Sequence, residues 1–418
     1  MNQAMKEEGK MALKALKSHY EKVFVDEWPA YTSAILLGFL IVLIFAWGRT
    51  WGVQGGLANW GDWFNTFIGL DKPLGIDKPE SPLRHPTSLM SLGLLLGAFA
   101  AALMAKQFSI RIPPALEMVK GVIGGTLMGF GATMCMGCNV GGFISPVTAF
   151  NMSGWGMWVG MTAGAAIGIK LLWWEMENIT WGRKSIQKYS AGGSKGTYKP
   201  FIGILIYALV IYMGAKYLVS EEEGMKFLGG VMLIGLAFGV VLHRSRFCFA
   251  RVFRDPLMTG DASMTKAAIL MLLIGVLGNA LLIKNGSSAY YDALTPVFWL
   301  GSVLGGMIFA IGMIAAGGCA TGALWRMGEG QLKLWIAVFF FAWTSSWWKA
   351  LLTKWGVLAV QMDMSKPGTF MTKMGHQFYM PREFHGWTWT LVVSIGLLLL
   401  WFVVAVYNEA TERFTVIK

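Results

Sequence analysis

The sequence is poor in charged residues for its length, and this scarcity limits the class of protein. Only 14% of its 418 residues are Asp, Glu, Lys or Arg, whereas 55% are hydrophobic. The mean hydropathy is +0.53. A soluble domain is usually about 25% charged. The composition therefore excludes a soluble globular domain and indicates a protein embedded in a membrane.

Several chemical signatures are also missing, and each absence removes a class of protein. There is no Gly-x-x-x-x-Gly-Lys-Ser/Thr phosphate-binding loop, so energy from ATP would have to come from another protein. No hydrolase or kinase constellation is present, and no Asp or Glu lies within a predicted span, which argues against a carboxylate proton relay. The five histidines show no Cys/His ligand spacing, which argues against zinc. Four of these histidines are expected in loops: His85, His243, His376 and His385. The sequence thus predicts neither an enzyme nor a resident cofactor or metal.

Apolar runs of transmembrane length are abundant and are separated by short charged loops. About ten spans are predicted, at 31–49, 88–106, 119–136, 155–174, 200–218, 227–242, 267–284, 297–317, 333–352 and 388–407. The spans that end near Cys138 and Cys319 are rich in glycine and are expected to be broken or re-entrant. The predicted fold class is all-α, a polytopic membrane protein.

The distribution of charge predicts the topology. Lys and Arg are concentrated in loops on the side of the N-terminus, which favours cytoplasmic termini in a bacterial inner membrane. Residues 1–30 lack the apolar core of a signal peptide and are expected to form a cytoplasmic amphipathic extension or a solvated tail. We predict a first repeat over 31–218, which includes a basic, solvated loop at 175–199. An external linker at 219–226 and a second repeat over 227–418 follow.

The chain contains an internal duplication. Glycines and one cysteine recur in register, so that each residue of the first set has a counterpart in the second: Gly124, Gly125, Gly131, Gly137 and Cys138 match Gly305, Gly306, Gly312, Gly318 and Cys319. Because each half has five predicted spans, the second copy would enter the membrane from the opposite side, giving inverted repeats. Helix packing alone explains the glycines. It does not explain why both copies end in cysteine.

A third cysteine breaks this symmetry. Cys248 lies in a basic segment of the second half, and its first-half counterpart is expected within 51–58, with Gly56 opposite Cys248. A cysteine thiol is a soft, polarizable group, and glycine-rich turns free backbone amides to bind oxyanions. Such a site can hold an anion without burying a full positive charge. The spacing therefore predicts a permeation path for a soft anion.

The candidate residues fall into two groups. The substrate-path group comprises the cysteines and the polar or glycine residues beside them: Cys135, Cys138, Cys248, Cys319, Asn139, Gly137, Gly141, Gly318, Thr321 and Gly322. The second group consists of arginines expected to gather anions at the cytoplasmic mouth: Arg244, Arg246, Arg251 and Arg254. These arginines could equally serve only the topology of the chain.

Two other functions remain open at this stage. Cys135 and Cys138 form a Cys-x-x-Cys pair, which is compatible with a membrane thiol–disulfide oxidoreductase. Met134 and Met136 flank Cys135, and a chain with 27 methionines could also line a path for copper(I). Methionine is, however, common as apolar filler.

Three motifs in order resemble the YeeE/YedE family of integral membrane proteins. They are Met136-Gly-Cys-Asn139, Cys248-Phe-x-x-x-Phe-Arg-Asp255 and Gly317-Gly-Cys-x-Thr-Gly322, which continues through Arg326 to Glu329-Gly-Gln331. The resemblance covers roughly 30–410 and is closer to the YedE branch, which is linked to selenium.

The resemblance implies uptake of thiosulfate-like sulfur anions or selenium analogues through an hourglass-like helical fold. In that fold, cysteines on loops that dip to the membrane centre pass the anion along. Cys138 and Cys319 would then be substrate-path residues, with Cys248 as the third, and Cys135 would be an addition to the motif. A small single-cysteine sulfur-carrier protein in the cytoplasm would be the partner.

Overall fold

The computed structural model describes residues 14–15, 17–179, 187–189, 198–286, 297–358 and 369–416, with the backbone alone at 187–189. Most of this part of the chain is helical, and its two strands have three residues each, which confirms the all-α prediction. Its elements are a π-helical turn Glu21–Val25, α1 Ala30–Ala46, α2 Gln54–Phe67, α3 Asp71–Leu74, α4 Pro86–Met104, β1 Ile110–Ile112, α5 Ala115–Met134, a π-helix Asn139–Ile144, α6 Ser145–Thr148, α7 Met152–Asn178, β2 Gln187–Tyr189, α8 Lys199–Leu218, α9 Glu223–Ser245, α10 Phe249–Met258, α11 Ser263–Lys284, α12 Leu300–Ala316, α13 Ala320–Gly328, α14 Leu332–Lys354, α15 Phe370–Met374, α16 Met380–Glu383 and α17 Trp387–Thr411.

Each of the ten predicted spans coincides with a long helix: α1, α4, α5, α7, α8, α9, α11, α12, α14 and α17. Within the described residues, eight helices are long and apolar enough to cross a membrane. A ninth qualifies if Lys17–Val25 and α1, which meet at a bend of 69°, are taken together. The chain is thus a polytopic membrane protein.

The helices pack as two similar halves. The helix α4 packs against α9, and α1 correspondingly packs against α11. In the same way α5 packs against α14, α12 packs against α7, and α5 and α12 pack against each other. Each of these contacts between the halves therefore recurs with the partners exchanged, as an approximate two-fold axis requires.

Glycines at the α5–α12 contact lie in the register that the sequence duplication predicts. A Cβ built on Gly131 would lie 2.5 Å from the carbonyl oxygen of Gly305, and one on Gly312 would lie 2.7 Å from that of Gly124. Larger residues at these positions would push the two helices apart, because the obstacles are backbone atoms. The glycine pattern thus serves close helix packing.

Two regions, one predicted as a solvated loop and the other as an amphipathic extension or a solvated tail, contact the rest of the protein. The helix α7 continues to Asn178, and β2 pairs antiparallel with β1, so part of the predicted solvated loop 175–199 is ordered, whereas 180–186 and 190–197 lie outside the described residues. The described end of the N-terminal extension is docked on the protein. Its Tyr20 hydroxyl donates to the Met104 carbonyl at 2.7 Å, and the Trp28 amide donates to the Arg244 carbonyl at 2.9 Å.

Candidate functional site

Four short helices begin inside the protein, and the residue that precedes each of them defines the candidate site. The N-cap residue is Cys138 for the π-helix Asn139–Ile144 and Cys319 for α13. It is Cys248 for α10 and Val53 for α2. In the order of elements, Val53 therefore corresponds to Cys248. The expectation that Gly56 does so was wrong, because Gly56 already lies inside α2.

The thiol of Cys138 lies where two helix N-termini meet. It is fully buried, and the backbone N–H groups of Val53, Gln54, Val140 and Gly141 point at its sulfur. These amides belong to the starts of α2 and of the π-helix, where the helix dipole is positive. Their convergence creates a site suited to electron-rich sulfur or oxygen atoms.

The thiols of Cys248 and Cys319 share the corresponding site in the second half. The two side chains interact, and the amides of Phe249 and Ala250 face them from the start of α10. The amide of Gly322 donates to Cys319 Sγ at 3.2 Å. A Cβ on Gly322 would lie 2.8 Å from Cys248 Sγ and 3.1 Å from Cys319 Sγ, so glycine is what leaves room for both thiols.

Buried polar groups beside the cysteines lack partners in the described part of the chain. Asn139 is fully buried, and neither its amide nitrogen nor its oxygen makes a hydrogen bond; the same holds for the Thr321 hydroxyl. Buried polar groups are nearly always hydrogen-bonded in proteins. These atoms are therefore available to a bound substrate.

Aromatic rings connect the two cysteine sites. Trp51 stacks on Phe238 with ring centroids 4.0 Å apart, and it meets the edge of Phe249 at 6.1 Å. Trp51 directly precedes the segment that carries Val53, and Phe249 directly follows Cys248. Because all four cysteines are buried, both sites are closed to solvent in this conformation.

Cys135 is placed differently from the other cysteines. Its thiol donates to the carbonyls of Ser302 at 3.3 Å and Gly301 at 3.6 Å, at the start of α12. A Cβ on Gly305 would lie 2.8 Å from Cys135 Sγ, just as one on Gly124 would lie 2.8 Å from the Cβ of Ala316. Cys135 thus occupies the position of a packing alanine in the other half, and its thiol faces other elements than that of Cys138.

The four predicted anion-gathering arginines are divided between two places. Arg251 and Arg254 lie at the wall of a cavity of about 1160 Å³, where both donate to Asp255 at 2.8 and 2.7 Å. Arg244 instead donates to the Asp26 carbonyl, and Arg246 pairs with Glu329. Arg244 and Arg246 thus serve contacts within the protein.

The cavity borders the segment that precedes Cys319. Gly317, two residues before Cys319, lies in its wall together with Lys120 and Lys333, and acidic residues are interspersed. One of them is Asp261, whose pKa is held below its usual range chiefly by the backbone N–H of Ser263. The cavity therefore presents charges of both signs rather than a uniformly basic surface.

Two charged features were given no role at the site by the sequence analysis. Arg326 donates to the Gly317 carbonyl at 2.8 Å, and its positive charge acts on Cys248. His243, expected in a loop, lies within α9 with no side-chain exposure, and its Nε2 is 3.1 Å from the equally buried Glu329 Oε1. Glu329 lies between the predicted spans 297–317 and 333–352, so hydropathy assigned it to a loop. Among the described residues, no group of three or more His, Cys, Asp or Glu is arranged to hold a metal ion.

Comparison with known families agrees with this architecture. A family model described as sulphur transport matches residues 3–167 and 244–416. The chain belongs to the sulphur transport family. This assignment confirms the resemblance noted from the three cysteine motifs, although it does not establish the selenium-linked branch.

Curated relatives of this sulphur transport protein are named as transporters. It is 30% identical over 324 residues to the probable transporter YedE of Escherichia coli K12, covering 74% of this chain and 77% of that one. The YedE of Salmonella typhimurium is 29% identical over 334 residues, covering 76% and 80% of the two chains. The thiosulfate transporter TsuA of Spirochaeta thermophila is 30% identical over 192 residues, covering 44% and 56%. The protein is thus a multi-pass membrane protein of a transporter family rather than a member of an enzyme family.

Proposed function

We propose that this protein transports thiosulfate-like sulfur anions, or their selenium analogues, into bacterial cells across the inner membrane. The observation that carries the proposal is the placement of buried thiols at two meeting points of helix N-termini. Each meeting point supplies amide donors for oxyanion oxygens and a thiol for a soft terminal sulfur or selenium atom. The similarity to a thiosulfate transporter supports the choice of substrate.

The path runs from Cys138 to the pair Cys248 and Cys319. At Cys138 the anion is bound by backbone amides and by Asn139, without a full positive charge. At the second site it meets two thiols, the Gly322 amide, the Thr321 hydroxyl and the field of Arg326. The anion passes between the sites by exchanging hydrogen bonds, and this requires the rings of Trp51 and Phe249 to move apart.

The large cavity forms the cytoplasmic exit of this path. Arg251 and Arg254 retain the anion there, while both termini lie on the same cytoplasmic side. A small single-cysteine carrier protein receives the sulfur at this mouth. The path lies between two repeats, 31–218 and 227–418, which are joined by the external linker 219–226.

Uptake measurements in cells that lack other import routes test the proposal. We would compare labelled thiosulfate and selenite in wild type, Cys138→Ala and Cys319→Ala, with Cys135→Ala as the matched control. Thiosulfate uptake that is lost in the first two variants and retained in the control supports the proposal. Uptake of selenite without uptake of thiosulfate would identify a selenium anion as the substrate. If neither anion enters faster than in empty cells, anion transport is rejected.

A further inference from the structure

A buried charged cluster joins the ends of α9 and α13. The side chains of His243 and Glu329 have 0% exposure, and Nε2 of the first lies 3.1 Å from Oε1 of the second. Arg246 pairs with the same carboxylate oxygen, and Gln331 donates to the other at 3.2 Å. A histidine and a carboxylate thus share a site without solvent, where one proton changes the net charge.

His243 is the group of this cluster whose charge can change. Besides Glu329, the charged groups that face His243 are Arg246 and Arg244, and Arg111 also acts on Glu329. Arginine does not lose its proton in proteins. Neither ring nitrogen of His243 makes a hydrogen bond in the described part of the chain: Nε2 lies within ion-pair distance of Glu329 Oε1 but without hydrogen-bond geometry, and Nδ1 has no partner. The ring therefore has an unpaired nitrogen that can take up a proton.

The cluster is attached directly to the Cys248 and Cys319 site. Trp325 of α13 meets the His243 ring edge-on at 5.9 Å between centroids and donates to the Phe247 carbonyl at 3.0 Å. Phe247 precedes Cys248, and α13 begins after Cys319. Arg246 has a left-handed backbone with φ of 54°, which its contact with Glu329 helps to hold. A change of charge at His243 therefore acts on both segments that carry the thiols.

We propose that the His243–Glu329 pair binds a proton together with the anion at the Cys248 and Cys319 site, so that anion import is coupled to proton import. This inference rests on the proposed function. A proton on His243 adds positive charge beside the anion, and by linkage each ligand raises the affinity for the other. An inside-negative membrane potential opposes a dianion, and a proton that moves with it reduces this opposition.

Purified protein in liposomes tests the coupling. We would load the liposomes with a pH-sensitive dye, clamp the membrane potential with valinomycin and potassium, and add labelled thiosulfate. Wild type should acidify the lumen as thiosulfate enters, and uptake should rise as the external pH falls. Glu329→Gln should reduce thiosulfate-driven acidification about tenfold and flatten the pH profile.

Two further variants separate proton binding from structural damage. Since Glu329→Gln leaves Arg246 without its buried counter-charge, His243→Asn serves as a second test and should also flatten the pH profile. Glu27→Gln is the matched control, because Glu27 faces Arg246 at 3.5 Å from the exposed side. It should retain the wild-type coupling.

The outcomes distinguish this inference from the function on which it rests. Thiosulfate uptake by wild type without acidification, and at a rate independent of pH, overturns proton coupling but leaves anion transport intact. Wild-type coupling retained in both Glu329→Gln and His243→Asn overturns the assignment to this cluster. Absence of thiosulfate and selenite uptake by wild type overturns both proposals.

Discussion

The two cysteine sites have similar architecture and different chemistry. At the first-half site, Cys138 is the only cysteine among the described residues, and Val53 is the N-cap residue of the neighbouring helix. In the second half, Cys248 takes the place of Val53, so two thiols meet, and Arg326 adds a charge. The segments before these caps are also held differently. A neutral Ser145 hydroxyl donates to the Trp51 carbonyl at 2.6 Å, where the second half uses Trp325 and the pair of Arg246 and Glu329.

This difference separates what the duplication requires from what each half has added. Both sites retain the meeting of two helix N-termini, which is the feature needed to bind an anion in a low-dielectric environment. The second thiol and the charge of Arg326 belong to the site in the second half, whose preceding residue Gly317 borders the cavity. The second site should accordingly bind the anion more tightly, so that a bound anion spends more time at Cys319 than at Cys138.

The largest effect is expected from removing a thiol that both halves possess. Cys138→Ala and Cys319→Ala should each reduce thiosulfate uptake about 100-fold, since each removes a contact to a charged ligand that no neighbour replaces. Initial rates in cells, corrected for protein amount, measure this effect. Equal rates in either variant and wild type would show that the anion does not pass that thiol.

Alanine substitutions at the equivalent glycines Gly322 and Gly141 should reduce uptake to very different extents. Gly322→Ala places a Cβ against two sulfur atoms, and uptake should fall at least about tenfold. At Gly141 a Cβ would lie 3.7 Å from the nearest atom, the Cα of Gly52, so Gly141→Ala should cause a smaller loss. Thiosulfate uptake rates and thermal unfolding temperatures of both variants measure this difference. A greater loss of uptake in Gly141→Ala than in Gly322→Ala would show that the Cys138 site, rather than the Cys248 and Cys319 site, is the more crowded one.

Arg326 should determine affinity at the second site alone. Arg326→Gln should raise the KM for thiosulfate about tenfold and weaken its dependence on salt, because a nearby positive charge is lost. Arg326→Lys keeps the charge but not the geometry of the bond to Gly317, so recovery of KM in this variant would identify charge as the cause. If lysine behaves like glutamine, the hydrogen bond to the loop is the important feature.

The smallest effect is expected at Cys135. Cys135→Ala should leave uptake close to wild type and change the free energy of unfolding by about 1 kcal/mol or less, because alanine stands at the equivalent position 316. Thermal unfolding in detergent and uptake rates measure both quantities. A loss as large as that of Cys138→Ala would favour a working Cys-x-x-Cys pair and therefore the redox alternative.

The parts of the structure encoded by local pattern could be predicted from the sequence. The hydrophobic runs gave the ten long helices, and the glycine and cysteine register gave the correspondence of Gly131 with Gly312, which the helix contacts reproduce. The prediction that His243 lies in a loop was wrong, because α9 continues through basic residues that hydropathy assigns to a loop. The pairing of Val53 with Cys248 depends on where short helices begin within the folded protein, and no periodicity shows this. The contact of His243 with Glu329 joins residues far apart in sequence and was likewise invisible.

The glycine contact between α5 and α12 has a consequence for the origin of the molecule. Each helix presents the same surface to the other, as in an isologous interface between identical subunits. Such an interface could have held together two copies of a shorter ancestral chain inserted in opposite orientations. While the copies were separate, any change in one site appeared in both. Fusion into a single chain removed that constraint, and it allowed one half to acquire Cys248, Arg326 and the His243–Glu329 pair, which the other half lacks at the equivalent positions.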